Sequence, residues 1–305
     1  MSLSKAKIGR TVGKAAVYLF LAVGALIMVY PILFIVMVSF FTPTEFNTLG
    51  VSFFPIAQEP TLANIQQLFF VNTDRYTLIY YFNSLFRTAY GTFFACLTSL
   101  LAGYVFGRLR FKGKNVLFLI LLATQMLPGI MSIMPTFLEL YRFPFAGGNS
   151  VFMGGHGLYN SYGVYILLNG GAINIMGTFL VKQNIEAIPP SMEEAAKVDG
   201  AGTPRLIFFI VFPLVRAVLA YVAITQAIGI WNDWQTPFYY TTSREYQTIA
   251  SALSKLSSFA GQEGTQVNYP AMMTFSLMLT VPSAIIFLIF QKNIIEGLVS
   301  AGIKG

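Results

Sequence analysis

Charge is scarce in this 305-residue chain: Asp, Glu, Lys and Arg together make up 10% of it. A water-soluble globular domain carries about a quarter, so that class is excluded. Cysteine and histidine occur once each, as Cys96 and His156. That excludes a disulfide scaffold and a metal site built from those ligands alone. His156 stands in a glycine-rich stretch with no G-x-S-x-G elbow to place it in a hydrolase triad, and it reads as a loop residue. A phosphate-binding G-x-x-x-x-G-K-S/T loop is also missing. The nearest string, Gly107 to Gly113-Lys114-Asn115, has the wrong spacing and lacks the hydroxyl that would meet magnesium. What is abundant excludes disorder: 55% of the residues are hydrophobic, with 29 Phe and a mean hydropathy of +0.66. The formal charge of +7 could point to nucleic acid, but its placement points to a membrane.

A helix crossing a bilayer needs about 20 mostly apolar residues. Six segments qualify: 15–41, 83–107, 116–140, 159–181, 206–230 and 271–290. The fourth is diluted by Asn169, Gly170, Gly171, Asn174 and Gly177, which is tolerable where a helix faces protein or water rather than lipid. Basic residues set the orientation. Lys5, Lys7, Arg10 and Lys14 precede span one, and Arg108, Arg110, Lys112 and Lys114 follow span two. Lys182, Lys197, Arg205 and Arg216 flank the loop after span four, and Lys292 and Lys304 follow span six. The opposite side has only Arg75, Arg142, Arg244 and Lys255, with Arg87 inside span two. The expected architecture is an all-α integral membrane protein with six transmembrane helices and both termini cytoplasmic. It comprises a basic tail (1–14), a membrane domain (15–290) and a C-terminal tail (291–305). The first span is too long, and lacks the A-x-A site, for a cleaved leader. Its outer loops are long, which points to contact with something outside the cytoplasm.

One cytoplasmic loop, 188–213, carries a pattern of its own. Pro189 and Pro190 stop the fourth helix. Ser191 followed by Glu194 forms a capping box that starts a new one. Glu193 and Lys197 are spaced to pair on it, Gly200 ends it in the left-handed conformation, and Thr203-Pro204 opens the next helix with Pro at its first position. A two-turn helix is unstable alone in water and calls for a docking partner.

The string Glu194-Ala195-Ala196, three residues, Gly200, nine residues, Ile210, one residue, Phe212-Pro213 resembles the EAA loop of permease subunits of ABC importers. Phe212 stands where that pattern has Leu. The longer string from Ile188-Pro189 through Asp199-Gly200-Ala201 is similar to the carbohydrate branch of the family, in particular its maltose-type second permease. Asn83-Ser84-Leu85, Trp231-Asn232-Asp233 and the tail Ala301-Gly302-Ile303-Lys304-Gly305 support it. The resemblance implies that the short helix couples the spans to a cytosolic ATPase. Glu194, Ala195 and Ala196 would be its docking face, with Asp199, Gly200 and Ala201 shaping its end. It implies a second homologous permease, an ABC ATPase dimer that binds ATP and magnesium, an extracytoplasmic binding protein and a carbohydrate substrate. No cofactor is expected in this chain, which would lie in the inner membrane of a prokaryote. Residues 257–264 would reach toward the binding protein.

Sugars are held by amides and hydroxyls with aromatic faces against the ring. Tyr90, Gln125, Asn174, Gln226, Trp231 and Asn232 are the candidates for the substrate path, with Asn169 and Thr225 as further polar residues. Each could instead bond a neighbouring helix, and Gly103 with Gly107 reads as helix packing. The competing class is an ion-coupled secondary transporter of a small polar solute, which needs intramembrane ionisable groups. Arg87, expected to snorkel outward, and Glu139, near the end of span three, make a poor relay. A scaffold without transport is the third class, disfavoured by the EAA-like loop.

Overall fold

The computed structural model describes residues 2–50, 52–66, 76–150, 154–259 and 267–302. Among the described residues all regular structure is helical. Helix α1 (Ser2–Ser39) is followed by short α2 (Pro43–Leu49) and α3 (Ala63–Gln66), long α4 (Tyr76–Arg108), and α5 (Lys114–Thr124). A 3-10 turn (Gly129–Ser132) leads into α6 (Ile133–Tyr141), then come α7 (Gly163–Gly170), α8 (Ile175–Glu186) and α9 (Pro190–Val198). Helix α10 (Thr203–Leu206) runs through a π turn (Ile207–Val211) into α11 (Phe212–Asn232), and α12 (Gln235–Tyr240), α13 (Ile249–Phe259) and α14 (Tyr269–Gly302) complete the chain.

Among the described residues five stretches are long and apolar enough to cross a membrane: Gly13–Ser39, Tyr76–Arg108, Gly163–Glu186, Thr203–Asn232 and Tyr269–Gln291. A sixth exists only if α5 and α6 count as one span bent by 95°. The straight span expected over 116–140 is therefore corrected. Pro128 has no N–H to donate, pushes Leu127 out of the helical region, and is followed by Gly129. The fourth span is interrupted too. Helix α7 ends at Gly171, and Asn174 starts α8 by accepting the Gly177 N–H at 2.8 Å. In the fifth, Pro213 cannot bond back to the preceding turn, and the helix widens just before it, with Phe212 N–H bonding Ile207 O. Arg216, placed by sequence beside the loop, lies inside this continuous helical run.

The chain forms two compact units. The unit made of Met1–Thr73 and Leu256–Met278 has a core of Val38, Phe41 and Phe46 with Phe34, Ala57 and Met273 packed on it. In it Tyr30 donates to Phe53 O at 2.6 Å, and their rings stack at 4.6 Å.

The unit made of Asp74–Lys255 and Leu279–Gly305 is built around α4, which packs on α8 and α11. Gly103 and Gly107 allow the approach of α8: a Cβ at Gly103 would stand 2.6 Å from Val181 Cγ1, and one at Gly107 3.0 Å from Ile185 Cγ2. Small residues drive helix association in lipid through close packing. The other part of α4 is tied to the segment before α13. Asn83 donates to Glu245 O (2.7 Å) and Gln247 O (2.8 Å), and Ser84 Oγ accepts the Ile249 N–H (3.1 Å). The Asn83-Ser84 pair is thus a backbone clasp.

Candidate functional site

The two helix interruptions meet. A cavity of about 250 Å³ is lined by Gln125 from the bend after α5, by Asn174 from the break between α7 and α8, and by Gln226 of α11. Gly91 and Ala95 of α4 and Asn169 of α7 also line it. Interrupted helices leave backbone and amide groups at mid-depth, which is tolerated where the backbone is buried in protein or lines a water-filled path. Three of the six residues proposed for the substrate path therefore share one cavity. Among the described residues, neither the Gln125 nor the Gln226 amide has a hydrogen-bond partner.

Along α4 and α11, one turn beyond the cavity residues Gly91 and Ile230, Arg87 ties three elements together. Its Nε donates to Asn169 Oδ1 (3.1 Å), Nη1 to Asp233 O (3.0 Å) and Nη2 to Asp233 Oδ2. The guanidinium also lies 5.3 Å from the Tyr165 ring centre. Asp233 is held in turn by the Thr236 hydroxyl (2.6 Å) and by the N–H groups of Gln235 and Thr236. Arg87 is 2% exposed, which corrects the expectation that it snorkels: its charge is matched inside the protein. Because Arg only donates, it draws the Asn169 carbonyl oxygen toward itself. That leaves the Asn169 nitrogen over Gly91, 3.4 Å from where a Cβ of that residue would be.

The remaining path candidates are placed otherwise. Trp231 is buried and donates to Leu279 O at 2.9 Å. Asn232 donates to Ile228 O (2.9 Å) and Ser283 Oγ (3.3 Å). Both join α11 to α14. Tyr90 donates to Ile166 O at 3.3 Å and packs on Gly170.

At the Arg108 end of α4 lies α9, the short helix expected from the loop. It starts two residues earlier than the capping box implied: Pro189 is the boundary residue, Pro190 the first in the helix, and Ser191 is inside. Proline at the first position needs no N–H partner, so the Ser191 cap is not used. Its C-terminus closes as expected, with Gly200 at φ +81°. Ala201 N–H bonds Ala196 O (2.9 Å) and Gly200 N–H bonds Lys197 O (3.0 Å), the double bond pattern of a Schellman end. The next helix begins at Thr203, with Pro204 second rather than first.

Glu193 does not pair with Lys197. It turns inward, 3% exposed, and accepts from Arg108 Nε at 2.5 Å and from the Tyr104 hydroxyl at 3.4 Å. Arg108 also donates to Ile188 O, so one guanidinium holds both the lead-in and the first turn of α9. With Glu193 inside, Glu194, Ala195 and Asp199 are exposed and Ala196 half-buried. Met192 (45%) and Val198 (87%) stand out as exposed apolar side chains beside them. Sequence reasoning counted Arg108 only as a charge and missed this role. No local pattern signals it, because Arg108 and Glu193 are 85 residues apart in the sequence.

Residues 260–266, most of the segment expected to reach a binding protein, lie outside the described residues, as does 303–305 of the tail.

The family described as "Binding-protein-dependent transport system inner membrane component" matches residues 99–297, and the chain belongs to it. It is a membrane-spanning transport subunit rather than an enzyme. The galactooligosaccharides transport system permease protein GanQ of Bacillus subtilis (strain 168) is 29% identical over 303 residues, covering 99% of this chain and 100% of that one. The maltodextrin transport system permease proteins MdxG of the same organism and MalD of Streptococcus pneumoniae are 28% and 26% identical, each covering 98% of this chain and 99% and 98% of their own. The fold is shared with a chain of a bacterial ABC transporter involved in the import of the acidic polysaccharide alginate. The TM-score is 0.72 at 20% identity, covering 92% of this chain and 96% of that one.

Proposed function

We propose that this chain is one of two homologous permease subunits of an ATP-driven importer, and that its cargo is a carbohydrate, in particular an oligosaccharide. The full-length similarity to permeases named for galactooligosaccharides and maltodextrins supports the cargo class. The observation that carries the mechanism is α9: a short helix whose Glu193 is consumed by Arg108, leaving Glu194 and Ala195 exposed beside a half-buried Ala196. A separate ATPase dimer binds ATP and magnesium and docks on that face. An extracytoplasmic binding protein delivers the sugar, an assembly for which the alginate importer, solved "in complex with alginate pentasaccharide-bound periplasmic protein", is the analogue. The chain lies in the inner membrane of a bacterium with both termini on the cytoplasmic face.

The amide-lined cavity is a partial site. Pockets that bury a drug-sized ligand run to about 300–1,000 Å³, more than the 250 Å³ here, so the second permease completes it. Gln125, Asn169 and Gln226 serve the sugar hydroxyls. Transport is a rigid-body alternation between two packings, driven through α9.

The test is reconstitution. The chain is co-expressed with a second permease, an ABC ATPase and a binding protein from the same organism, purified in mild detergent, and placed in proteoliposomes with ATP inside and labelled maltodextrin or galactooligosaccharide plus the binding protein outside. ATP-dependent accumulation of a sugar is expected. Uptake driven by a proton or sodium gradient without ATP would overturn the reading in favour of an ion-coupled carrier.

A further inference from the structure

A second hollow, of about 580 Å³, runs between α4 and α11, lined among others by Phe93 and Leu97 of the first helix and Phe212 and Ala220 of the second. One charged side chain interrupts this apolar surface: Arg216. It is exposed and has no ion-pair or hydrogen-bond partner among the described residues.

Its depth makes that position expensive. Arg216 follows the start of the apolar run at Leu206 by ten residues and precedes Ile230 by fourteen. At about 1.5 Å per residue it stands about 15 Å from one end and 21 Å from the other, near the middle of a hydrocarbon layer about 30 Å thick. Snorkelling serves arginines near helix ends, not one at this depth. An unpaired guanidinium facing lipid tails is strongly disfavoured, and intramembrane arginines instead face protein, a counter-charge or water.

The placement of the charge within the hollow selects among these. Lining residues of α11 run from Phe208 to Ala223, so Arg216 is half-way along rather than at either mouth. A phospholipid seated here would bring its phosphate to an end of the groove and its tails to the guanidinium, the wrong way round. A helix lying along the groove brings a side chain to the middle. Ala220 and Cys96 leave room in that middle for a second backbone to approach closely, as helix packing in membranes requires.

We propose that this hollow seats a membrane-spanning helix of the second permease, and that this helix presents an Asp or Glu carboxylate to Arg216. The inference rests on the heteromeric importer described above and adds the surface and the chemistry of the contact.

The test uses the whole complex. Ala220→Cys is introduced with Cys96→Ser and treated with a short thiol-to-carboxylate cross-linker. The expected product is a covalent adduct to the second permease, mapped by mass spectrometry to a carboxylate on one of its spans. Arg216→Glu should lower recovery of the second permease at least ten-fold, and Lys or Arg in place of the mapped carboxylate should restore it. If Arg216→Glu fails to insert, Arg216→Gln with the same cross-link readout replaces it. Capture of lipid alone by a photoreactive group at 220 overturns the proposal. So does full labelling of Ala220→Cys by a membrane-impermeant thiol reagent in the assembled complex, which would make the hollow a water-filled path. A second permease that co-purifies but cross-links elsewhere overturns this contact alone. Its absence from the wild-type complex overturns the importer reading with it.

Discussion

Arg87 and Asp233 show what a buried ion pair does when each partner is fully engaged. Removing one leaves the other charged and buried, a loss of about 3–5 kcal/mol for such pairs. Arg87→Ala should therefore lower the midpoint of thermal unfolding in detergent markedly, and Arg87→Ala with Asp233→Ala should recover part of that loss. Additive losses in the double variant would show that the two do not act as a pair. Arg87→Lys keeps the charge but loses the planar fork, so it should hold stability better than it holds sugar uptake, because Asn169 is no longer oriented. Trp231-Asn232-Asp233 was visible in the sequence as a pattern, but its division of labour was not. Trp231 and Asn232 face α14 while Asp233 faces Arg87, and adjacent residues on a helix end point in directions that no spacing rule resolves.

At the scale of elements, breakers proved more informative than hydropathy. Gly200 at φ +81° has open space where a Cβ would go, so Gly200→Val is penalised by backbone strain alone, about 1–2 kcal/mol. It should loosen the end of α9 and reduce co-purifying ATPase and ATP-dependent uptake, whereas Gly200→Asn, which tolerates the left-handed region, should retain most of both. Equal recovery of the ATPase with either variant would detach Gly200 from docking. Because α9 begins at Pro190, Glu194 lies past the first turn, where the helix dipole is weak. A loss of coupling in Glu194→Lys would then report the docking face and not helix stability. The bend at 125–128 was readable from Pro128-Gly129, yet the apolar run on both sides masks it in any windowed count. Pro128→Ala with Gly129→Ala should favour a continuous helix, carry Gln125 out of the cavity and depress uptake while the chain still inserts. Unchanged uptake would remove Gln125 from the sugar path.

For the molecule as a whole, the class and the short helix α9 were accessible from sequence because both are local: apolar runs, basic flanks and one compact motif. The cavity was accessible only in part. Gln125, Asn174 and Gln226 are separated by long stretches of chain, and their meeting depends on two helix breaks and on how α4, α8 and α11 pack. Arg216 was grouped with the loop although the expected span 206–230 already held it; the π turn carries the helix straight through Pro213 without a gap.

Among the described residues both buried ion pairs are anchored on α4, Arg87 toward one end and Arg108 at the other. They are 21 residues apart, about 32 Å along a helix, with no break between them. Helix α4 is thus one unbroken rod between the Glu193 clamp on α9 and the Asp233 clasp beside the amide-lined cavity. A flexible joint cut into that rod away from both hollows, such as paired glycines at Leu101 and Ala102, should leave both clamps intact and still let ATP be hydrolysed without moving sugar.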